Sequence, residues 1–345
     1  MRWKSMKSLL ELITTVLVST PIITNTINNK TTINTNLYVL GDSLSDTGAL
    51  AGAGTQFFQA SSLLFPNIKE VKLEAPYYNN SFSNGHVAAQ IVADKLGVKL
   101  TPGWKFNDLV LKTHQQVGNN YAVGGTQSSL RTDAQGIFIN KFDINAQVNA
   151  LLDQHPVQEN DKIFLEIGGN DIIYAMTKDF DFEQNIIINN AIFNEKTALE
   201  KLITKGENHI LVANLPDVST IPMFNKDTTK SSRVKELVNM FNDKWTVMIN
   251  NLNAKYNNSI KSYSLLNGMN QAISAFKQDP NRNITDNAVT TDFKQLLKTG
   301  TLTPKYNPDV KPENIDNYFF FDSVHPTKWG HNFIGNQLIK LIEKW

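Results

Sequence analysis

From residue 37 to the C-terminus, short, largely apolar runs alternate with longer stretches in which apolar residues recur every three or four positions. The runs at 37–40, 120–123, 162–167, 209–214 and 260–263 are four to six residues long, and most stop at a glycine or just before a proline. That pattern predicts buried β-strands. The periodic stretches at 83–96, 144–152, 187–204, 233–256 and 327–342 predict helices. In 83–96 the spacing is carried by Val87, Ile91, Val92 and Leu96, with Ser83 or Asn84 placed to cap it. In 233–256 it is carried by Val234, Leu237, Val238, Phe241 and Trp245. Strands alternating with helices imply βαβ units, hence a largely parallel sheet with helices on both faces. Three stretches, 49–78, 222–230 and 278–316, break the alternation and read as long excursions, which in a compact domain are usually functional or mobile.

Residues 1–35 follow a different pattern. Arg2, Lys4 and Lys7 precede a mostly apolar stretch over 9–23, and an Asn/Thr-rich run follows to Asn36. This is the order of a secretory signal peptide, so we expect an exported protein, secreted or periplasmic, with one domain over 36–345. The alternative is an amphipathic N-terminal segment. The stretch carries Glu11 and is too short and too polar for a membrane span.

Composition narrows the function. Lys and Arg number 33 against 32 Asp and Glu, a net charge of +1, which gives no broad basic field and no expectation of a nucleic-acid partner. The absence of cysteine excludes a disulfide scaffold, a thiolate metal site and a cysteine nucleophile, although it leaves export open. No HExxH, histidine cluster or phosphate-binding loop is present, so neither a metal nor a cofactor is expected.

Candidate chemistry gathers where the strands end, at the edge where open parallel sheets place their sites. Gly41-Asp42-Ser43-Leu44-Ser45-Asp46 follows the first run and offers a hydroxyl on a turn; alone it also reads as a polar turn. Gly124-Gly125 follows the second, where a glycine N–H can approach a ligand oxygen unobstructed, or simply close a turn. Gly168-Gly169-Asn170-Asp171 follows the third; Asn170 can donate to a developing oxyanion, or Asn170 or Asp171 can cap a helix. Near the end, Phe319-Phe320-Phe321-Asp322-Ser323-Val324-His325-Pro326 places a carboxylate three residues before an imidazole, close enough to meet it if the segment turns back. His86, His114, His155, His209 and His331 have no comparable setting. Together the four segments hold the parts of nucleophilic acyl transfer: nucleophile, base, orienting carboxylate and oxyanion donors.

In these blocks the chain resembles the GDSL, or SGNH, family of serine esterases and lipases. The matching pieces are GDSLSD at 41–46, NYAVGG at 120–125, GGND at 168–171 and DSVH at 322–325, in the family's order, with FSNGHVAAQIVADKLG at 82–97 and NLPDVSTIP at 214–222 between them. The likeness covers about residues 37–345 and looks closest to bacterial lysophospholipase, haemolysin and glycerophospholipid:cholesterol acyltransferase relatives. It implies a three-layer α/β/α sandwich, flavodoxin-like, with a mostly parallel sheet of about five strands. It also implies Ser43 as nucleophile, His325 as base and Asp322 as its orienting group, and an oxyanion hole formed by the Ser43 N–H, Gly125 N–H and Asn170 amide. Gly125 is preferred to Gly124 as the last glycine of its block. Some acyltransferase relatives carry a cysteine pair around a late loop; this chain has none, so regulation through that disulfide cannot operate here.

For substrate, the 49–78 excursion carries Phe57, Phe58, Leu63, Leu64, Phe65, Tyr77 and Tyr78. These either line an acyl channel and touch a membrane surface transiently, or pack the loop onto the body. The expected activity is that of a lysophospholipase or phospholipase A, with acyl transfer as a variant. A short-chain or sugar-ester carboxylesterase is the enzymatic alternative. A lipid- or glycan-binding protein on the same fold, or a surface adhesin, is the alternative from another class.

Overall fold

The computed structural model describes residues 36–60, 62–63, 65–104, 118–292 and 294–345. The signal-like segment 1–35 lies outside the described residues, as do His114 and Leu64. Four strands, β1 (Leu37–Gly41), β2 (Lys162–Glu166), β3 (Ile210–Ala213) and β4 (Ile260–Tyr263), form one sheet in the order β1-β2-β3-β4. Every pair is parallel; Leu37 lies opposite Lys162, Ile163 opposite Ile210, and Ile210 opposite Ile260. Segment 119–123 runs along the free edge of β1, with Tyr121 N donating to Val39 O at 2.7 Å and Val123 N to Gly41 O at 3.2 Å. Counted along the chain, the second extended segment therefore lies outside the first and all later strands lie inside it. The direction of growth reverses at β1, and the crevice at such a reversal is where open α/β sheets bind ligands.

The alternating pleat of β1 explains the layers. Tyr38 and Leu40 face a core shared with α3 (Ile144–Gln154), α4 (Gly169–Ala175), α5 (Asp181–Thr204) and α6 (Thr228–Lys255). Leu37 and Val39 face a second core shared with α2 (Ala88–Leu96) and α8 (Lys328–Ile342). Helix α7 (Leu265–Phe276) places Leu265 in the second core and Ala272 and Phe276 in the first. The result is an α/β/α sandwich around a parallel sheet.

Three local readings of the sequence are corrected. Residues Ala49–Ala60 are a helix, α1, not part of a loop; Gly52, Gly54 and the polar Thr55 and Gln56 blur its apolar stripe. Helix α2 begins at Ala88, and neither Ser83 nor Asn84 caps it. Both reach across to the start of α8 instead: Ser83 Oγ donates to Pro326 O at 3.1 Å, and Asn84 Oδ1 accepts from Lys328 N at 2.8 Å. The 278–316 stretch contains short paired strands rather than an open loop. Asn283–Asn287 pairs with Tyr318–Phe320, and Val289–Thr290 with Lys305–Tyr306. Thr301–Leu302 joins Lys72–Leu73, which ties this stretch to the 49–78 excursion.

Candidate active site

Each strand end delivers its segment to the same crevice. After β1 the chain turns so that Ser43 is nearly covered and its Oγ lies 2.7 Å from His325 Nε2. His325 arrives on a tight reversal. Phe321 N donates to His325 O at 2.8 Å, and Phe320 bridges Pro326 in the antiparallel sense. That reversal closes the three-residue gap, and His325 Nδ1 lies 2.9 Å from both Asp322 carboxylate oxygens. Asp322 Oδ1 also accepts from the Val324 and His325 N–H groups, and Tyr77 donates its hydroxyl to Oδ2 at 3.0 Å. Burial opposes charge on Asp322, but His325 and those backbone donors outweigh it and hold its carboxyl below the usual carboxylate range. A carboxylate fixed in this way keeps the Nδ1 proton in place and leaves Nε2 free to take one from a hydroxyl.

The two other loops carry Gly125 and Asn170, and Asn170 reaches Asp42, the neighbour of Ser43. Gly125 has φ +82°, a conformation open to glycine, and an added Cβ would meet only Ile139 at 3.5 Å. The Ser43 and Gly125 N–H groups donate to no other group among the described residues. Asn170 Nδ2 donates to Thr126 O at 3.0 Å and to Asp42 Oδ2 at the longer distance of 3.3 Å. The second contact is the weaker one, and it is the one an incoming oxyanion would compete for. All five sequence-derived positions, Ser43, Gly125, Asn170, Asp322 and His325, thus come to one crevice.

The loops are fastened by residues to which the sequence pattern assigned no role or a different one. Asp46 is fully buried and accepts four backbone N–H groups. Oδ1 takes Gly48 at 2.7 Å and Ala49 at 2.6 Å, which caps α1; Oδ2 takes Leu50 at 3.1 Å and Gly124 at 2.7 Å. Gly124 precedes Gly125, so Asp46 ties the nucleophile loop to the second donor loop. Asp171 caps nothing; it accepts from Ser128 N and Ser129 N at 3.0 and 2.7 Å and so ties the second loop to the third. Gln147 on α3 grips the end of β1, accepting from Gly41 N at 2.8 Å and donating to Gly41 O at 2.9 Å. Burial raises Asp46 and Asp171 each to about 6, against the pull of their N–H donors.

The 49–78 excursion is settled mostly as packing. Phe58 and Tyr77 are buried, and Phe58 meets Phe57 and Phe65 edge-on. Leu63 stands almost fully exposed and Tyr78 partly so.

A hydroxyl, an imidazole and a carboxylate in one hydrogen-bonded chain, at the strand-end crevice of a parallel α/β/α sandwich, are the working parts of a carboxylic ester hydrolase. Residues 37–338 match the family model of GDSL-like lipases and acylhydrolases, and the chain belongs to that family. Among curated proteins it is similar to a GDSL esterase/lipase of Arabidopsis thaliana, 24% identical over 345 residues that span 89% of this chain and 87% of the relative. A second Arabidopsis GDSL esterase/lipase is 25% identical over 319 residues, 86% of this chain and 83% of the relative. Among solved structures, a variant of an acetyl-xylooligosaccharide esterase from a Geobacillus aligns over 90% of this chain and 94% of its own, with 12% identity and a TM-score of 0.41.

Proposed function

We propose that the protein is a lipid-directed serine esterase, a lysophospholipase or phospholipase A, acting through an acyl-Ser43 intermediate. Ser43 Oγ attacks the ester carbonyl carbon while its proton passes to His325 Nε2, 2.7 Å away. The Ser43 and Gly125 N–H groups and the Asn170 amide receive the tetrahedral oxyanion. Collapse breaks the bond to the leaving alkoxide, which takes the proton from His325. Water then repeats the sequence on the acyl-enzyme and releases the fatty acid; an alcohol in place of water would give acyl transfer.

The observation favouring a lipid is a set of exposed apolar side chains on the segments that follow the strand ends. Leu130 and Ile137, leaving the second extended segment, Phe180 and Phe182, leaving β2 and α4, and Met223, leaving β3, are large apolar side chains between 41% and 72% exposed. Met223 N donates to Ser323 O, two residues from His325, and Phe180 stacks on Phe182. Where exposed apolar side chains gather, as Phe180 and Phe182 do, contact with apolar ligands or surfaces is favoured. The test is fatty-acid release from lysophosphatidylcholine, diacyl phosphatidylcholine, a short-chain aryl ester and an acetylated xylooligosaccharide, by wild type and Ser43→Ala. Ser43-dependent release from the lysophospholipid above the other esters supports the reading. Turnover confined to the acetylated sugar replaces the substrate class, and turnover by Ser43→Ala overturns the nucleophile.

A further inference from the structure

Both nitrogens of His325 are engaged at the edge of its ring, Nδ1 with Asp322 and Nε2 with Ser43. One face of the ring lies against Phe82. The two ring centroids are 5.0 Å apart and the planes are inclined by 36°. Rings side by side in one plane cannot come so close, and an edge-on contact would be nearly perpendicular, so the two stack face to face with an offset. Phe82 is 3% and His325 4% exposed, which makes the contact a desolvated one. Phe82 is held from its other sides. Tyr77 meets it edge-on with centroids 6.2 Å apart, and Tyr77 in turn donates to Asp322. Gly124 lies against the ring: a Cβ there would stand 2.3 Å from Phe82 Cε2 and 2.5 Å from Cζ. The room the ring needs accounts for glycine at 124, whereas Gly125 is required by its positive φ. Phe82 thereby joins the base to the loop that carries Gly125.

We infer that the face of Phe82 stabilises the imidazolium that His325 becomes when it takes the Ser43 proton, which makes Phe82 a positioning residue for the base. The inference rests on the acyl-transfer mechanism proposed above. An aromatic ring carries negative charge density on its faces, and a cation over the face within about 6 Å of the centroid is attracted to it. A general base starts neutral and becomes cationic as the proton arrives. The attraction is therefore realised mainly in the transition state, and it lowers the barrier without tightening the binding of substrate. Asp322 offsets the same charge at the ring edge, through Nδ1. It cannot act over the face, toward which no N–H of the imidazole points. Phe82 supplies the face, and its stacking also fixes the plane in which Nε2 aims at Ser43 Oγ. Phe82 touches no substrate in this role and acts through His325.

The experiment replaces Phe82 by phenylalanines carrying one, two or three ring fluorines and compares them with wild type, Phe82→Leu and His325→Ala. Fluorine drains negative charge from the ring face while barely changing the size of the ring. The readouts are kcat and KM on a short-chain aryl ester, and urea unfolding. With each added fluorine kcat should step down, by about tenfold across the series, with KM held within about twofold and unfolding unchanged. Folded Phe82→Leu, which keeps an apolar contact without a π face, should lose about as much kcat. A kcat that ignores the fluorine count in folded proteins, or that falls only in step with lost stability, overturns the inference. So does wild-type kcat in folded Phe82→Leu. Turnover by His325→Ala would overturn the assignment of the base, and with it the role of Phe82. A flat fluorine series beside an inactive His325→Ala overturns the role of Phe82 and leaves the base in place.

Discussion

Replacing Asp46 by asparagine tests whether a single buried carboxylate couples two catalytic loops. The carboxylate divides its four donors evenly, Gly48 and Ala49 on one oxygen, Leu50 and Gly124 on the other. An amide has one acceptor oxygen, so Asp46→Asn can serve one pair and must turn its NH₂ toward the other. Keeping the first turn of α1 capped sets donor against donor at Gly124. Two buried N–H groups lose their partner, at about 1–3 kcal/mol each. A relief works against this. Burial moves Asp46 from 3.8 to about 6, and at about 1.4 kcal/mol per pH unit the charged form costs the native state about 3 kcal/mol at neutral pH, a cost asparagine escapes. The net loss is therefore at most about 3 kcal/mol at neutral pH. Because the folded pKa is raised, wild-type stability falls as pH rises through about 4 to 6, while the asparagine form does not respond through this residue. The variant's deficit, measured by urea unfolding, should accordingly be largest near pH 4 and shrink toward pH 7. Its kcat should fall about tenfold or more with KM little changed, since the Gly125 donor rides on the Gly124 tie. A deficit that grows with pH, or a folded variant with wild-type kcat, would refute the reasoning.

Three further outcomes follow from the same geometry. Asn170→Ala should lower kcat about 10²- to 10³-fold with a much smaller effect on KM, read on any ester the enzyme turns over. Tyr77→Phe removes the hydroxyl that donates to Asp322 Oδ2 at 3.0 Å, while two backbone donors and His325 remain; kcat should fall only a few-fold, and a loss approaching that of His325→Ala would show the tyrosine to be essential. Gly168→Ala places a Cβ 2.7 Å from Phe241 Cζ at φ +116°, and thermal unfolding should report a loss of about 1–3 kcal/mol or more.

β1, β2 and β3 were legible because each is a largely apolar run, the mark of a parallel strand buried on both faces, whereas β4, Ile-Lys-Ser-Tyr with a half-exposed middle, left a weaker trace. Their ends were legible too, because Gly41, Gly124 and Gly168 punctuate them. Helix starts were not. Helices α5 and α6 begin at Asp181 and Thr228, five or six residues before the apolar periodicity starts, because their first turns stand in solvent and carry polar or exposed residues. Helices α1, α4 and α7 went unseen: α1 carries two glycines, α4 is seven residues long, and α7 packs its ends into different cores. Within the site, Ser43, Asp322 and His325 could be found from local motifs. The fastenings could not, since Gln147 meets Gly41 across 106 residues and Asp46 meets Gly124 across 78. Such pairings arise from the fold and leave no periodic trace.

Those fastenings explain why the crevice keeps so many carboxyl groups behind it. Asp42, Asp46 and Asp171 are each nearly or fully buried, and burial raises all three. A buried carboxylate is tolerable where backbone N–H groups surround it, and the loops after parallel strands supply such groups in excess because no ladder continues to use them. Each aspartate converts orphan donors of two segments into one rigid joint: Asp46 joins α1 to the Gly124 loop, and Asp171 joins α4 to the Ser128 loop. A neutral side chain of similar size has too few acceptors for that work. The carboxyl groups of Asp46 and Asp171 are therefore retained for their geometry, although burial works against their charge. Glu166 has the same burial with no donor among the described residues, and burial pushes it well above the usual carboxylate range. The joints leave the Ser43 and Gly125 N–H groups without a partner among the described residues, which is the condition the proposed oxyanion role requires before chemistry begins.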